Sequence, residues 1–270
     1  MKYFLLLTLS VMLFSPEFLS AQKLINVQER SIHLPVTVKI DGKSTEWSNF
    51  EAYNKSTEVY YTVANDESRL YFILKSKDAI ISKKIIVGGL TLTINKEAKR
   101  NSDKKVTVIF PWYDANDKAF LGNLITQPSE KGIDSVSTAR KADSLMKYTN
   151  REFSKRLKEI KVTGIDMLID SVISVYNSEG IRVSALLDAK KCLTYELSIP
   201  MKYLRLETSA KVFYNIMLNG TSGREIMVKP NQYGIVSVRT IFGGGMGSNE
   251  NVRQVLESPT DFWGEYVLYK

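Results

Sequence analysis

Short β-rich runs, each closed by turn chemistry, recur from residue 35 to residue 268 and constrain the fold more than any single motif. Pro35-Val36-Thr37-Val38-Lys39-Ile40 alternates apolar and polar residues, reads as a strand, and ends at the turn residues Asp41-Gly42. The runs 57–63 and 69–75 flank Asn65-Asp66-Glu67-Ser68, which is a hairpin signature. Residues 84–94 read as strand interrupted by Gly88-Gly89, the paired glycines marking a bulge or bend. Val106–Phe110 reads as another strand, and further runs lie at 165–176, 181–187, 192–199, 211–219, 224–229, 234–240 and 262–269. The expectation is an all-β chain, a β-sandwich of about eleven strands over residues 35–270.

One stretch breaks this texture. Between about 130 and 162, Val136, Ala139, Ala142, Met146, Phe153, Leu157 and Ile160 fall near helical spacing. Lys141, Lys147, Arg151, Lys155, Arg156 and Lys158 occupy the other face. This predicts an amphipathic helical insertion, with a break near Asn150. The Gly243–Gly247 stretch lacks the strand-then-helix context of a phosphate loop and reads as a surface loop.

The first residues carry a different signal. Lys2 precedes an apolar run at 4–14, and Ser20-Ala21 supplies small residues before Gln22. This reads as a secretory signal peptide over 1–21, followed by a flexible segment at 22–34. The apolar run is short of the ~20 residues needed to span a bilayer. No later run is long and apolar enough either, so no transmembrane segment is expected in the mature chain. The expected location is periplasmic or extracellular.

Composition narrows the chemistry. Apolar residues make up 44% of the chain, ample for a core, and the single cysteine, Cys192, cannot form an internal disulfide. Cys192 lies in a strand-like run and reads as a small buried hydrophobe. The single histidine, His33, precedes the first predicted strand, so a positioned Ser-His-Asp or Cys-His arrangement is not legible. Two His and Cys residues in total cannot form a zinc cluster. Acidic residues number 29, yet no spacing selects a pair for glycoside hydrolysis. The reading is a non-enzyme with no cofactor. The formal charge of +8 would suggest nucleic acid in a cytoplasmic protein; with export, a glycan or an anionic envelope component is the expected partner instead.

Four segments then align in order. They are Ile40-Asp41-Gly42 with Glu46-Trp47; Val59–Val63 with Leu70-Tyr71-Phe72 and Asp78; Tyr195-Glu196-Leu197-Ser198-Ile199-Pro200 with Leu204; and Phe262-Trp263-Gly264-Glu265-Tyr266-Val267-Leu268. Together they resemble a family 9-type carbohydrate-binding module, itself similar to DOMON-type sandwiches. The Gly88–Leu92 run, the basic loop after it and the Pro-Thr-Asp-Phe-Trp ending also resemble a group of exported Bacteroidetes proteins. The resemblance implies a sandwich outside the cytoplasm that binds sugar or haem. For haem, eight methionines and many lysines supply ligand types, but nothing singles out an axial pair.

A sugar site needs an exposed aromatic platform flanked by polar side chains. Phe110-Pro111-Trp112-Tyr113-Asp114-Ala115-Asn116-Asp117 is the best local candidate, read as a loop after a strand. Trp112 or Tyr113 would stack on the sugar, and Asp114, Asn116 and Asp117 would bond hydroxyls. Those three could also hold calcium, though they do not make an EF-hand loop. Trp47 and Trp263 read as core aromatics. The function expected is carbohydrate binding, with a structural or interaction role in the cell envelope as the alternative.

Overall fold

A computed structural model describes residues 24–269, apart from 35–37, 48, 98, 101, 127–134, 205–210, 222–225, 231–235 and 241–249. The signal sequence, the start of the first predicted strand, the beginning of the helical segment and the Gly243–Gly247 stretch lie outside the described residues.

In the first half, β1 (Ala52–Asn54), β2 (Val59–Asn65) and β3 (Arg69–Ser76) lead into helix α1 (Ala79–Gly88). Next come β4 (Leu90–Asn95), β5 (Lys105–Trp112), α2 (Ala115–Thr126) and α3 (Ser135–Arg156). After these, β6 (Glu159–Thr163), β7 (Val172–Ser174), β8 (Arg182–Leu187) and β9 (Leu193–Pro200) precede the single turn α4 (Met201–Leu204). The chain closes with β10 (Lys211–Leu218), β11 (Ile226–Pro230), β12 (Val236–Thr240), α5 (Glu250–Glu257) and β13 (Thr260–Val267). Five strands pair in the order β1-β2-β3-β9-β8, six in the order β13-β10-β4-β5-β6-β7, and β11 pairs with β12 apart from both. All of these ladders are antiparallel. The protein is therefore mostly β rather than all-β, with five helices among the described residues.

The period of two in each strand builds one core from both sheets. Val59, Tyr61 and Val63, Leu70, Phe72 and Leu74, and Leu193, Tyr195, Leu197 and Ile199 come from the five-stranded sheet. They join Leu90, Leu92 and Ile94, Val106, Val108 and Phe110, and Val212, Tyr214, Ile216 and Leu218 from the six-stranded sheet. Tyr214 donates across the sheets to the hydroxyl of Tyr61 at 3.2 Å. The hairpin of β2 and β3 matches the sequence reading, with Val59 opposite Ser76 and Asn65 opposite Leu70.

The outer face of the five-stranded sheet has its own cover. Val38, Trp47, Ala64, Tyr71 and Ile73 form a second apolar cluster, with Ile32, Leu34, Ile40 and Phe50 packed against it. Residues 38–40 belong to this cover and are not strand, contrary to the alternation. The N-terminal segment is also docked rather than loose. The Gln28 side chain accepts from Val63 N at 2.7 Å and donates to Val63 O at 2.8 Å, doing with an amide side chain what a neighbouring strand would do with its backbone. Isolated bridges join Ile25 to Ala52 and His33 to Asn65.

The run at 84–94 is not one interrupted strand. Asp78 caps a helix by accepting from Ile80 N and Ile81 N, and Gly89 ends it. Ile81, Ile85, Ile86 and Val87 are buried together with Ser82 and Lys84, so burial extends around most of the helix and its sequence shows no amphipathic stripe. The run 165–176 likewise divides, with only 172–174 in strand; β6 begins at Glu159, inside the predicted helical stretch.

Helix α3 runs unbroken through Asn150 and packs on the main core rather than standing apart from it. Met146, Phe153 and, just beyond it, Leu157 sit in the main core, each buried apolar side chain contributing about 1.5–3 kcal/mol. Ala139 and the basic side chains Arg140, Lys141, Lys147, Arg151 and Lys155 face solvent.

Candidate functional site

The proposed platform at 110–117 divides between a strand end and a helix start. Trp112 ends β5 opposite Glu159 and is 37% exposed, with the Lys161 ammonium 4.3 Å from its ring centroid. Tyr113 turns inward against the core, where burial pushes its phenol far up and its hydroxyl finds no hydrogen-bond partner among the described residues. Asp114 caps α2, accepting from Asn116 N and Asp117 N at 2.9 Å each. Asp117 pairs with Arg156, and Asn116 is exposed. The expected loop is thus a helix N-terminus, whose cap and acidic residue look like turn chemistry in sequence. Of the five, Tyr113 is turned into the core and Asp117 is held by Arg156, while Trp112, Asp114 and Asn116 are exposed.

An open cleft of about 520 Å³ lies instead between the end of α3 and strand β8. Phe110, Phe153, Leu157, Val183 and Ala185 give it apolar walls. Asp41, Ser154, Tyr176, Arg182 and Ser184 supply the polar groups around it. The exposed lining is mixed, with polar groups at least as prominent as apolar ones. Of the residues proposed from sequence, none lines it, although Phe110 at the head of that segment does.

Each part of the cleft is positioned by an identifiable contact. On the helical wall, Asn150 donates to Leu187 O and accepts from Leu187 N, both at 2.9 Å. β8 is the edge of its sheet, so this amide satisfies edge backbone groups and ties α3 to it. The opposite rim is held by Glu196 on β9. One of its carboxylate oxygens accepts from Asp41 N at 2.9 Å and Gly42 N at 2.7 Å, and the other from Trp47 Nε1 at 2.8 Å. Gly42 has φ +86°, and a Cβ there would stand 2.8 Å from Leu186 Cγ on β8. Only glycine lets this turn lie so close to the edge strand.

Tyr176 stands at the mouth, 76% exposed. Lys158 lies 4.7 Å from its ring centroid and donates to its hydroxyl at 2.8 Å. Arg182 is anchored by its bond to Asn177 O at 2.7 Å. Burial and the neighbouring Arg182 charge pull Arg69 below the usual guanidinium value. Two cations therefore share one end of β8.

Cys192 is half-buried, not core; its thiol lies 3.5 Å from Lys77 O and burial raises its pKa. His33 is exposed and stacks on Tyr269 with ring centroids 4.9 Å apart. Among the described residues, no group of three or more His, Cys, Asp or Glu could hold a metal ion. No helix among them is long and apolar enough to cross a membrane.

Comparison with known proteins finds no matching family model, no matching curated protein and no matching solved structure. The resemblance to a family 9-type module rests on the motifs alone.

Proposed function

We propose that this chain is an exported, non-catalytic β-sandwich that binds carbohydrate in the cleft between α3 and β8, with acidic sugars preferred. The observation supporting this reading is the exposed Tyr176 ring beside a cleft of mixed lining that carries Arg182, Ser184, Ser154 and Asp41. A sugar presents an apolar ring face and a hydroxyl edge, which an aromatic side chain and such polar groups complement. The cation at Arg182 in the lining favours a carboxylated or sulfated sugar. The net charge of +8 acts in the same direction over longer range. Export is supported by the signal-like features of residues 1–21.

A glycan array probed with the purified protein tests the reading. Retention on acidic oligosaccharides, lost in a Tyr176→Ala variant, is the expected result. Silence across acidic and neutral glycans refutes it and favours a second reading, an interaction protein of the cell envelope. That role would use the solvent-facing cations of α3, among them Arg140, Lys147, Arg151 and Lys155.

A further inference from the structure

The end of the six-stranded sheet remote from the cleft presents two large apolar side chains to water. Met167 is 54% exposed and Ile169 is 100% exposed, both in the connection 164–171 between β6 and β7. This connection is built rather than loose. Val162 N donates to Ser171 O at 2.7 Å across its base, and Leu168 N to Ile165 O at 3.1 Å within it. Ile165 is buried and Leu168 packs on the core. Gly164, at φ +81°, lies so close to β5 that a Cβ would stand 1.8 Å from Lys105 O. The inward pair anchors the turn, and Met167 and Ile169 are left displayed at its tip.

A basic loop lies beside it. The Lys96 ammonium donates to Gly164 O at 2.7 Å and couples the connection 95–105 to this turn. That loop is also fixed, Asn95 donating to Lys99 O and Arg100 O at 2.6 Å each. It carries Lys96, Lys99, Arg100, Lys104 and Lys105 against Glu97 and Asp103. Glu97 is engaged by Lys99 at 2.8 Å and Lys104 at 3.1 Å. With Asp166 and Asp170 of the apolar turn included, the charge at this end remains positive.

An apolar tip beside a cationic collar suits a surface that is anionic at its boundary and apolar beneath it. We propose that this end of the sheet docks on a lipid bilayer bearing anionic headgroups, Met167 and Ile169 entering the acyl boundary while Arg100, Lys105 and their neighbours meet the headgroups. The proposal does not depend on what the cleft binds.

Flotation of the purified protein with two kinds of vesicle tests it, phosphatidylethanolamine mixed with phosphatidylglycerol in one, phosphatidylcholine alone in the other. The expected result is preferential flotation with the anionic vesicles. Met167→Ser with Ile169→Ser weakens it about tenfold or more, since two apolar side chains lose their burial. Arg100→Glu with Lys105→Glu removes the preference for anionic lipid. All four side chains are exposed, so an unchanged unfolding midpoint certifies that each variant is folded. Absence of flotation, or flotation unaffected by the two serine substitutions, overturns the proposal. So does a dimer in light scattering that Ile169→Ser dissociates, which would make a second copy of the chain the occupant.

Discussion

Trp47 Nε1 donates to Glu196 Oε1 at 2.8 Å across 149 residues of sequence. Glu196 is fully buried, and its three hydrogen-bond donors among the described residues lie in the segment 41–47. One carboxylate thus fastens the outer cover onto the five-stranded sheet and fixes a rim of the cleft. Trp47→Phe keeps the apolar packing and removes one donor. It should cost about 1–3 kcal/mol of stability, and a double-mutant cycle with Glu196→Gln should show positive coupling in denaturant unfolding. Additive costs would mean that the pair contributes nothing jointly.

The same carboxyl makes stability depend on pH. Burial pushes Glu196 above the ordinary carboxyl value, outweighing the opposite pull of Trp47, Gly42 and Asp41. The folded protein then holds this proton more tightly than the unfolded chain does. Its contribution is complete below the ordinary glutamate value and is lost as pH rises through the folded value. The stability advantage of wild type over Glu196→Gln should narrow as pH rises above the ordinary glutamate value, read as the shift in denaturant midpoint. A difference that widens over this range contradicts the assignment.

Helix α3 should prove inseparable from the domain. Removing residues 130–162 strips Met146, Phe153, Leu157 and Ile160 from the core and frees the Leu187 backbone groups. The truncated protein should lack a cooperative thermal transition. The milder Asn150→Ala should fold with a loss of about 1–3 kcal/mol, seen as a lowered denaturant midpoint. A truncated protein that melts cooperatively would restore the helix to the status of an insertion.

Gly164→Ala probes the opposite end of the sheet. The substitution meets both a positive φ and the Lys105 carbonyl, and should destabilise by more than about 1 kcal/mol in denaturant unfolding. A neutral effect would show that the turn relaxes without cost.

What could be read in advance follows from how locally each feature is encoded. β2 and β3 carry strong β residues on both sides of a turn cluster, so the hairpin is legible. α1 is hidden because buried positions, Ser82 and Lys84 among them, are spread around most of the helix, so no apolar stripe of helical period shows. α2 is hidden because Asp114 and Asn116 serve turns and caps alike. The docking of 24–34 depends on the Gln28 side chain, which has no strand pattern. The cleft is assembled from residues near 40, 110, 155, 176 and 184, and no window of sequence contains it. Phe110 heads the segment that the sequence singles out, yet its relevance lies in the inward face of β5, not in the aromatic residues that follow. Tyr176 reads as one more strand residue, because exposure is a property of the assembled fold.

Calorimetric titration of an acidic oligosaccharide selected on the array measures the central claim directly. Wild type should bind with a single site. Tyr176→Ala and Arg182→Ala should each weaken binding about tenfold or more, because an aromatic platform and a charged hydrogen bond are lost. Trp112→Ala, which removes no lining residue of the cleft, should bind as wild type does. Loss of binding in Trp112→Ala with retention in Tyr176→Ala and Arg182→Ala would move the site out of the cleft and contradict the account.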